Sequence, residues 1–402
     1  MSGRHGHVTP YCRRMRWAKR VLIGVAVLLL VGLVAAFGYL KVQSDRSVVL
    51  PAPSGPDRVG RVVYDWMDQS RMDSFAPNGS TPCELSVWIW YPAEPAPGAR
   101  TASYWPADWQ RALGEAGGIN DLVHTRPALI HPHAVDDASV ANSQRQYPVL
   151  VFAPGQGLSA ADYTTIAEDL ASNGYVVAGI NPTYSVDVVL SSGRVVRSVA
   201  KAQDANYGQL VSVWADDMRF VARQMDEIST ASSGRFSGRL ESTRIGFFGH
   251  SLGGAAAVQA CRDDDRCPGA VDLDGRLGGD VLQTGLGKPF LFLGSDGSLT
   301  DGAVKAQVRS ALRGVPAGQG HVLTVAGAAH HNFTDHGVYF DLVSSISLGS
   351  IDGTRALHLS SSYLRAFFSS YLRGRADVLM TGPSATYPEV RAESVDRLFA
   401  RS

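Results

Sequence analysis

The sequence predicts an α/β fold, a central and mostly parallel sheet with helices on both faces, behind an N-terminal transmembrane helix. Three observations carry that expectation. Short apolar strands alternate with amphipathic helices from Tyr147 to Leu372, the pattern of parallel strands joined by crossover helices. A G-x-S-x-G pentapeptide, Gly249-His250-Ser251-Leu252-Gly253, stands between one such strand and one such helix. Val21–Leu40 is uncharged and long enough to cross a bilayer.

The N-terminus sets an orientation. Arg13, Arg14, Arg16, Lys19 and Arg20 precede the apolar run, whereas Lys41 and Arg46 are the nearby cations after it. The positive-inside rule then puts residues 1–20 in the cytoplasm, residues 21–40 in the membrane and the rest outside. The alternative is a secretory signal cleaved near Val34-Ala35-Ala36, which would release the protein. The run exceeds a typical signal core, which favours an uncleaved anchor. Arg13-Arg14 invites a twin-arginine reading, but its surroundings fit poorly. Cysteine usage agrees with export: Cys261 and Cys267 bracket a polar loop and suit a local disulfide, while Cys83 has no evident partner. A zinc site is the rival, but no second Cys or His pair stands at ligand spacing nearby.

The 402 residues are 45% hydrophobic and 18% charged with zero formal net charge. That suits one large domain and gives no electrostatic reason to expect nucleic acid as a partner. Pro51, Pro53, Gly55 and Pro56 mark 41–58 as a linker. Leu85–Tyr91 alternates and is rich in aromatic and β-branched residues, a strand that Pro92 is expected to end. Residues 93–145 and 185–205 lack clear period and read as excursions that shape a pocket or lid. Tyr147–Ala153 is a short, wholly apolar strand, as at the centre of a parallel sheet. Asp162–Asn173 reads as a helix closed by Gly174. Tyr175–Ile180 is the next strand, and Tyr207–Glu227 a long amphipathic helix. Arg244–Phe248 leads into the pentapeptide. Strands follow at Gly269–Leu273, Pro289–Leu293 and Val322–Val325, then a helix over Leu357–Leu372. The catalytic domain is expected over 59–375, with 376–402 an extension.

Strand, sharp turn and helix around Ser251 make a nucleophile elbow, and the fold an α/β-hydrolase. Glycines at 249 and 253 fit because side chains there would collide with neighbouring strands. A serine hydroxyl needs a base, and the base an orienting acid. In this fold they follow in the order Ser, acid, His. His330 and His331 lie directly after the last central strand, where the base should hang over the sheet. His321 and His336 are less well placed. For the acid, Asp274 ends the strand after the elbow helix, Asp296 ends the next, and Asp272 is a third, weaker choice. The oxyanion hole needs two N–H donors. Leu252 supplies one, and Gln156 in the Pro154-Gly155-Gln156-Gly157 turn is expected to supply the other. Asn78-Gly79-Ser80 is a glycosylation sequon, relevant only in a glycosylating host.

Four segments resemble the plasma-type platelet-activating factor acetylhydrolases, α/β-hydrolases also similar to bacterial polyester hydrolases. They are Asp68–Asp73 with Glu84–Ala93, Phe152–Gly157 with Asp169–Ala178, the elbow Gly249–Gly254, and Ala329-His330-His331-Asn332-Phe333. The resemblance implies that His330, two before Asn332, is the base, and that Asp274 in Leu273-Asp274 is the acid. It departs at Ala153-Pro154-Gly155, where the family commonly has Ser-His-Gly, and at Gly275-Arg276, where animal members carry an aromatic residue. The implied activity is serine carboxylic-ester hydrolysis through an acyl-enzyme, on a small-molecule or lipid ester, without metal or organic cofactor. A polyester hydrolase or acyltransferase would use the same triad. A catalytically silent binding domain is the alternative from another class, though such relatives usually lose the serine or histidine.

Overall fold

The computed structural model describes residues 10–399, apart from Asn78 and residues 115–119. The sequon's acceptor and part of the 93–145 excursion therefore lie outside the described residues. Helix α1 (Pro10–Ser44) contains the stretch Trp17–Ser44, long and apolar enough to cross a membrane. The segment after it, expected as a linker, docks onto the domain. Val48–Val49 pairs with Ile130–His131, Leu50 is buried, and the Gly55 N–H donates to Ser172 Oγ (3.0 Å).

The main sheet has eleven strands among the described residues. In chain order they are β1 (Arg58–Met72), β2 (Pro82–Glu94), β3 (Val135–Asp136), β4 (Ser139–Val140), β5 (Tyr147–Ala153) and β6 (Val176–Pro182). Then come β7 (Leu240–His250), β8 (Ala270–Leu273), β9 (Phe290–Gly294), β10 (Gly320–Val325) and β11 (Val390–Ala392). The spatial order is β11-β10-β9-β8-β7-β5-β6-β2-β1-β3, with β4 on β2. From β6 to β10 every pairing is parallel, and antiparallel pairs flank that block. Strand β5, the Ile245–Phe248 part of β7 and strand β9 read as apolar runs because layers cover both faces. The longer helices are α2 (Thr164–Ser172), α3 (Tyr207–Thr230), α4 (Leu252–Asp263), α5 (Gly302–Ala311) and α6 (Gly353–Tyr371). Helix α3 packs on α4, and α2 on α6.

The expected central elements all form, with three differences at their margins. Pro92 does not end its strand. The Ala141 N–H donates to the Pro92 carbonyl (2.9 Å), so the missing proline N–H faces the same side, beyond the end of β6, where no ladder partner needs it. Strand β1, for which no boundaries were expected, runs the full length of β2, although its burial does not alternate. Residues beyond 375 were expected as an extension, yet Val390–Ala392 pairs with Leu323–Val325 and forms the sheet's edge. Three residues are too few to show a period of two.

Cys261 and Cys267 form a disulfide between the end of α4 and the start of β8, and Cys83 is free and buried. Burial pushes the Cys83 thiol up to about 12, which leaves it inert towards exchange. Closing so short a loop stabilises by about 2 kcal/mol. The double variant Cys261→Ser/Cys267→Ser is expected to unfold at lower denaturant by that amount and to ignore added reductant, which should shift the wild type alone.

Candidate active site

Ser251 sits between β7 and α4 with φ 56° and ψ −123°, a backbone region costly for any residue with a Cβ. Hydrogen bonds hold it there. Its N–H donates to the Leu273 carbonyl (2.9 Å), and its own carbonyl accepts from Gly254 (3.1 Å) and Ala255 (3.2 Å). The flanking glycines are required by close backbone approach. A Cβ on Gly249 would lie 2.2 Å from the Gly253 oxygen, and one on Gly253 would lie 2.2 Å from the Ala153 oxygen and 2.3 Å from that of Pro154.

The structure brings Asp274 and His330 together. His330 Nδ1 lies 2.8 Å from Asp274 Oδ2, and the Ser295 N–H donates to Asp274 Oδ1 (2.7 Å). A carboxylate flanked by two donors accepts from both, so the proton sits on His330 Nδ1 and Nε2 is left as an acceptor. Asp274 is nearly buried, whereas His330 is 40% exposed. Ser251, Asp274 and His330 line one pocket of about 370 Å³ with Tyr207, Arg276 and Val304. Across the Pro154–Gly157 turn, Gly157 and Leu158 line a second pocket, of about 380 Å³, with Trp105 and Trp109.

The other expected residues fall into distinct places. Leu252 opens α4, where first-turn N–H groups have no carbonyl within the helix. In the facing turn the Gly155 N–H already donates to Tyr163 Oη (2.9 Å), and Gln156, the next residue, is exposed. Asp296 accepts from the Gly327 N–H (2.9 Å) and faces Arg391 (3.4 Å), apart from His330. Asp272 lies fully buried under the elbow; Oδ1 accepts from the Gly275 N–H (2.9 Å) and Oδ2 has no partner. Burial drives its pKa well above the carboxylate range, with the Asp274 charge adding to the effect.

His331 does not share His330's acid, and burial followed by the neighbouring imidazoles lowers its pKa. His321 pairs with Tyr371 Oη (2.7 Å). His336 bridges Asp162 (3.3 Å) and Asp341 (2.9 Å). Burial alone would lower His336, but the two carboxylates override it and push it up to about 10. Sequence reasoning missed Tyr163 and His250. His250 stands inside the pentapeptide at the variable position, so the motif itself gave no signal for it. Among the described residues no group of three or more His, Cys, Asp or Glu side chains is arranged to hold a metal ion.

Residues 43–183 and 226–378 match the family described as "Platelet-activating factor acetylhydrolase, isoform II". The chain belongs to this family. It is similar to a probable 1-alkyl-2-acetylglycerophosphocholine esterase of Arthroderma benhamiae, 26% identical over 86% of this chain and 93% of the relative. A platelet-activating factor acetylhydrolase of Cavia porcellus is 24% identical over 56% of this chain and 58% of its own length. Among solved structures, a ferulic acid esterase from Streptomyces cinnamoneus superposes with a TM-score of 0.75 and 30% identity, over 87% of this chain and all of that one. The fold is that of the α/β-hydrolases, and the family member described here is a carboxylic ester hydrolase.

The state of Asp272 gives a test. An acid whose pKa is raised on folding stabilises the fold below its unfolded pKa and loses that contribution as pH climbs towards the folded value. Asn mimics the protonated acid without that penalty. Asp272→Asn is therefore expected to match or exceed the wild-type Tm at pH 8, with the gap shrinking towards pH 4, and to keep its esterase activity.

Proposed function

We propose that Ser251, His330 and Asp274 form a catalytic triad that cleaves carboxylic esters through an acyl-enzyme. The observation that carries the reading is the 2.8 Å contact of His330 with Asp274 in the pocket that holds a strained Ser251. Ser251 Oγ attacks the ester carbonyl as His330 Nε2 takes its proton, and Asp274 holds the Nδ1–H and favours the imidazolium. N–H groups of Leu252 and Gln156 stabilise the oxyanion. Collapse breaks the bond to the alkoxy oxygen, which leaves with the proton from His330. Water, deprotonated by His330, then attacks the acyl-enzyme, releasing the carboxylic acid and restoring Ser251.

The favoured substrate is a lipid ester with a short acyl chain, as the names of the family and the Arthroderma relative suggest. The apolar helix before the domain supports an anchored enzyme outside the membrane, beside such lipids; cleavage of that helix would make it secreted. The identity with the ferulic acid esterase favours a second reading, an aromatic acyl group.

Purified full-length protein in detergent distinguishes these readings with p-nitrophenyl esters from acetate to palmitate, a 2-acetyl phospholipid and methyl ferulate. Preference for short chains and the phospholipid supports the first reading, preference for ferulate the second. Ser251→Ala should lower kcat by about 10⁵- to 10⁶-fold and Asp274→Asn by about 10⁴-fold, while Asp296→Asn stays near wild type. Loss in Asp296→Asn instead would move the acid one strand later. Absence of any Ser251-dependent hydrolysis would leave a binding domain.

A further inference from the structure

A chain of hydrogen bonds links the oxyanion turn to the backbone of the histidine loop, and its directions are fixed by its ends. The Gly155 N–H can only donate, and it does so to Tyr163 Oη (2.9 Å). The Tyr163 hydroxyl lies 2.8 Å from His250 Nδ1, with its hydrogen free to donate there. At the far end the His330 carbonyl can only accept, and His250 Nε2 is 3.0 Å from it. Nε2 of His250 therefore carries a proton, both ring nitrogens are used, and in the neutral ring Nδ1 accepts from Tyr163. Burial, followed by the His330 and His331 imidazoles, holds its pKa well below the ordinary value, in keeping with that state.

We propose that Tyr163 and His250 are positioning residues that lock the oxyanion turn to the catalytic histidine, so that donor and base keep one spacing through the reaction. The inference rests on the triad reading above. Gly155 is adjacent to Gln156, and a Cβ on Gly155 would lie 3.0 Å from His250 Nδ1 and 3.4 Å from Ser251 Cβ. At the other end the His250 ring packs 4.4 Å from the His330 ring and 6.0 Å from that of Phe333. Tyr163 is wedged against Phe152 of β5 at 4.7 Å, so the brace is anchored in the sheet. Its neutrality matters as well. When Ser251 transfers its proton, His330 becomes cationic, and a charged ring at that distance would oppose the transfer.

The test uses full-length enzyme, with active sites titrated by a fluorophosphonate so that kcat is expressed per competent serine. Tyr163→Phe keeps the ring and removes both hydrogen bonds. It is expected to lower kcat per titrated site by about 10- to 100-fold with little change in KM. His250→Leu should behave alike, and His250→Gln, which can restore a donor to the His330 carbonyl, should recover part of the loss. Tyr175→Phe, which removes a buried hydroxyl that has no hydrogen-bond partner, serves as the control and should match wild type. A purely structural role would lower the titratable fraction or Tm and leave kcat per site unchanged, and that result overturns the proposal. Should Tyr163→Phe not fold, ¹⁵N shifts of the wild-type imidazoles decide. A neutral Nε2–H tautomer at His250 is expected at neutral pH, and an Nδ1–H or cationic ring there overturns the brace. Failure of the wild type itself to label at Ser251 would instead overturn the triad reading.

Discussion

The site depends on the approach of one backbone to another, Gly253 at the start of α4 against the carbonyls of Ala153 and Pro154 at the end of β5. With 2.2 and 2.3 Å left for a Cβ, any other residue would push the helix off the strand. That contact decides where the first N–H of α4 points relative to the turn after β5. It also holds Ser251 at a positive φ, a strain of about 1–3 kcal/mol that ladder bonds to Leu273, Gly254 and Ala255 offset. The register of the parallel block does the rest. Gly249 pairs with Ala153 on one side and Asp272 on the other, so the three strand ends lie level and their loops share one surface.

On that surface neighbouring ionisable groups are kept in different states by their surroundings. Asp272 and Asp274 are two residues apart, yet one has a single donor and no solvent while the other has two donors, one of them a histidine. Burial raises the pKa of the first well above the carboxylate range, which opposes a negative charge beneath the elbow, and the His330 ring contacts Asp274 alone of the two. The pair of histidines divides in the same manner. His250 is enclosed, bonded at both nitrogens and lowered in pKa by burial, while His330 is 40% exposed and bonded to a carboxylate. Separation of protonation states by environment is what gives each group a single role.

How much of this was legible in the sequence follows from how local each signal is. The apolar runs of β5 to β10 and the pentapeptide are contiguous patterns, and their elements appear where expected. The acid was narrowed only by resemblance, because Asp274 and Asp296 both end strands and nothing in their spacing reports which one faces the histidine. Strand β1 was illegible because its long partner β2 imposes the pairing on residues that do not alternate in burial. Tyr163 and His250 escaped for a different reason. Neither is unusual in its own segment, and their meaning arises from a contact across 87 positions that the sheet creates.

The carboxylate that competes for the acid's role has a use of its own. Asp296 accepts from the Gly327 N–H, its own N–H donates to the Ala328 carbonyl (2.8 Å), and Arg391 of the edge strand faces it. Gly327 and Ala328 are the first residues of the loop that carries His330. Two successive strand ends thus grip one loop, Asp274 by the histidine side chain and Asp296 by the backbone that precedes it. Asn332 completes the grip, its Oδ1 accepting from Ala329 (2.8 Å) and Gly349 (2.7 Å). In the proposed mechanism the histidine serves a serine, a leaving group and a water in turn, which calls for a mobile ring on an immobile backbone. Those backbone bonds supply the immobility, and the C-terminal edge strand takes part in it through Arg391.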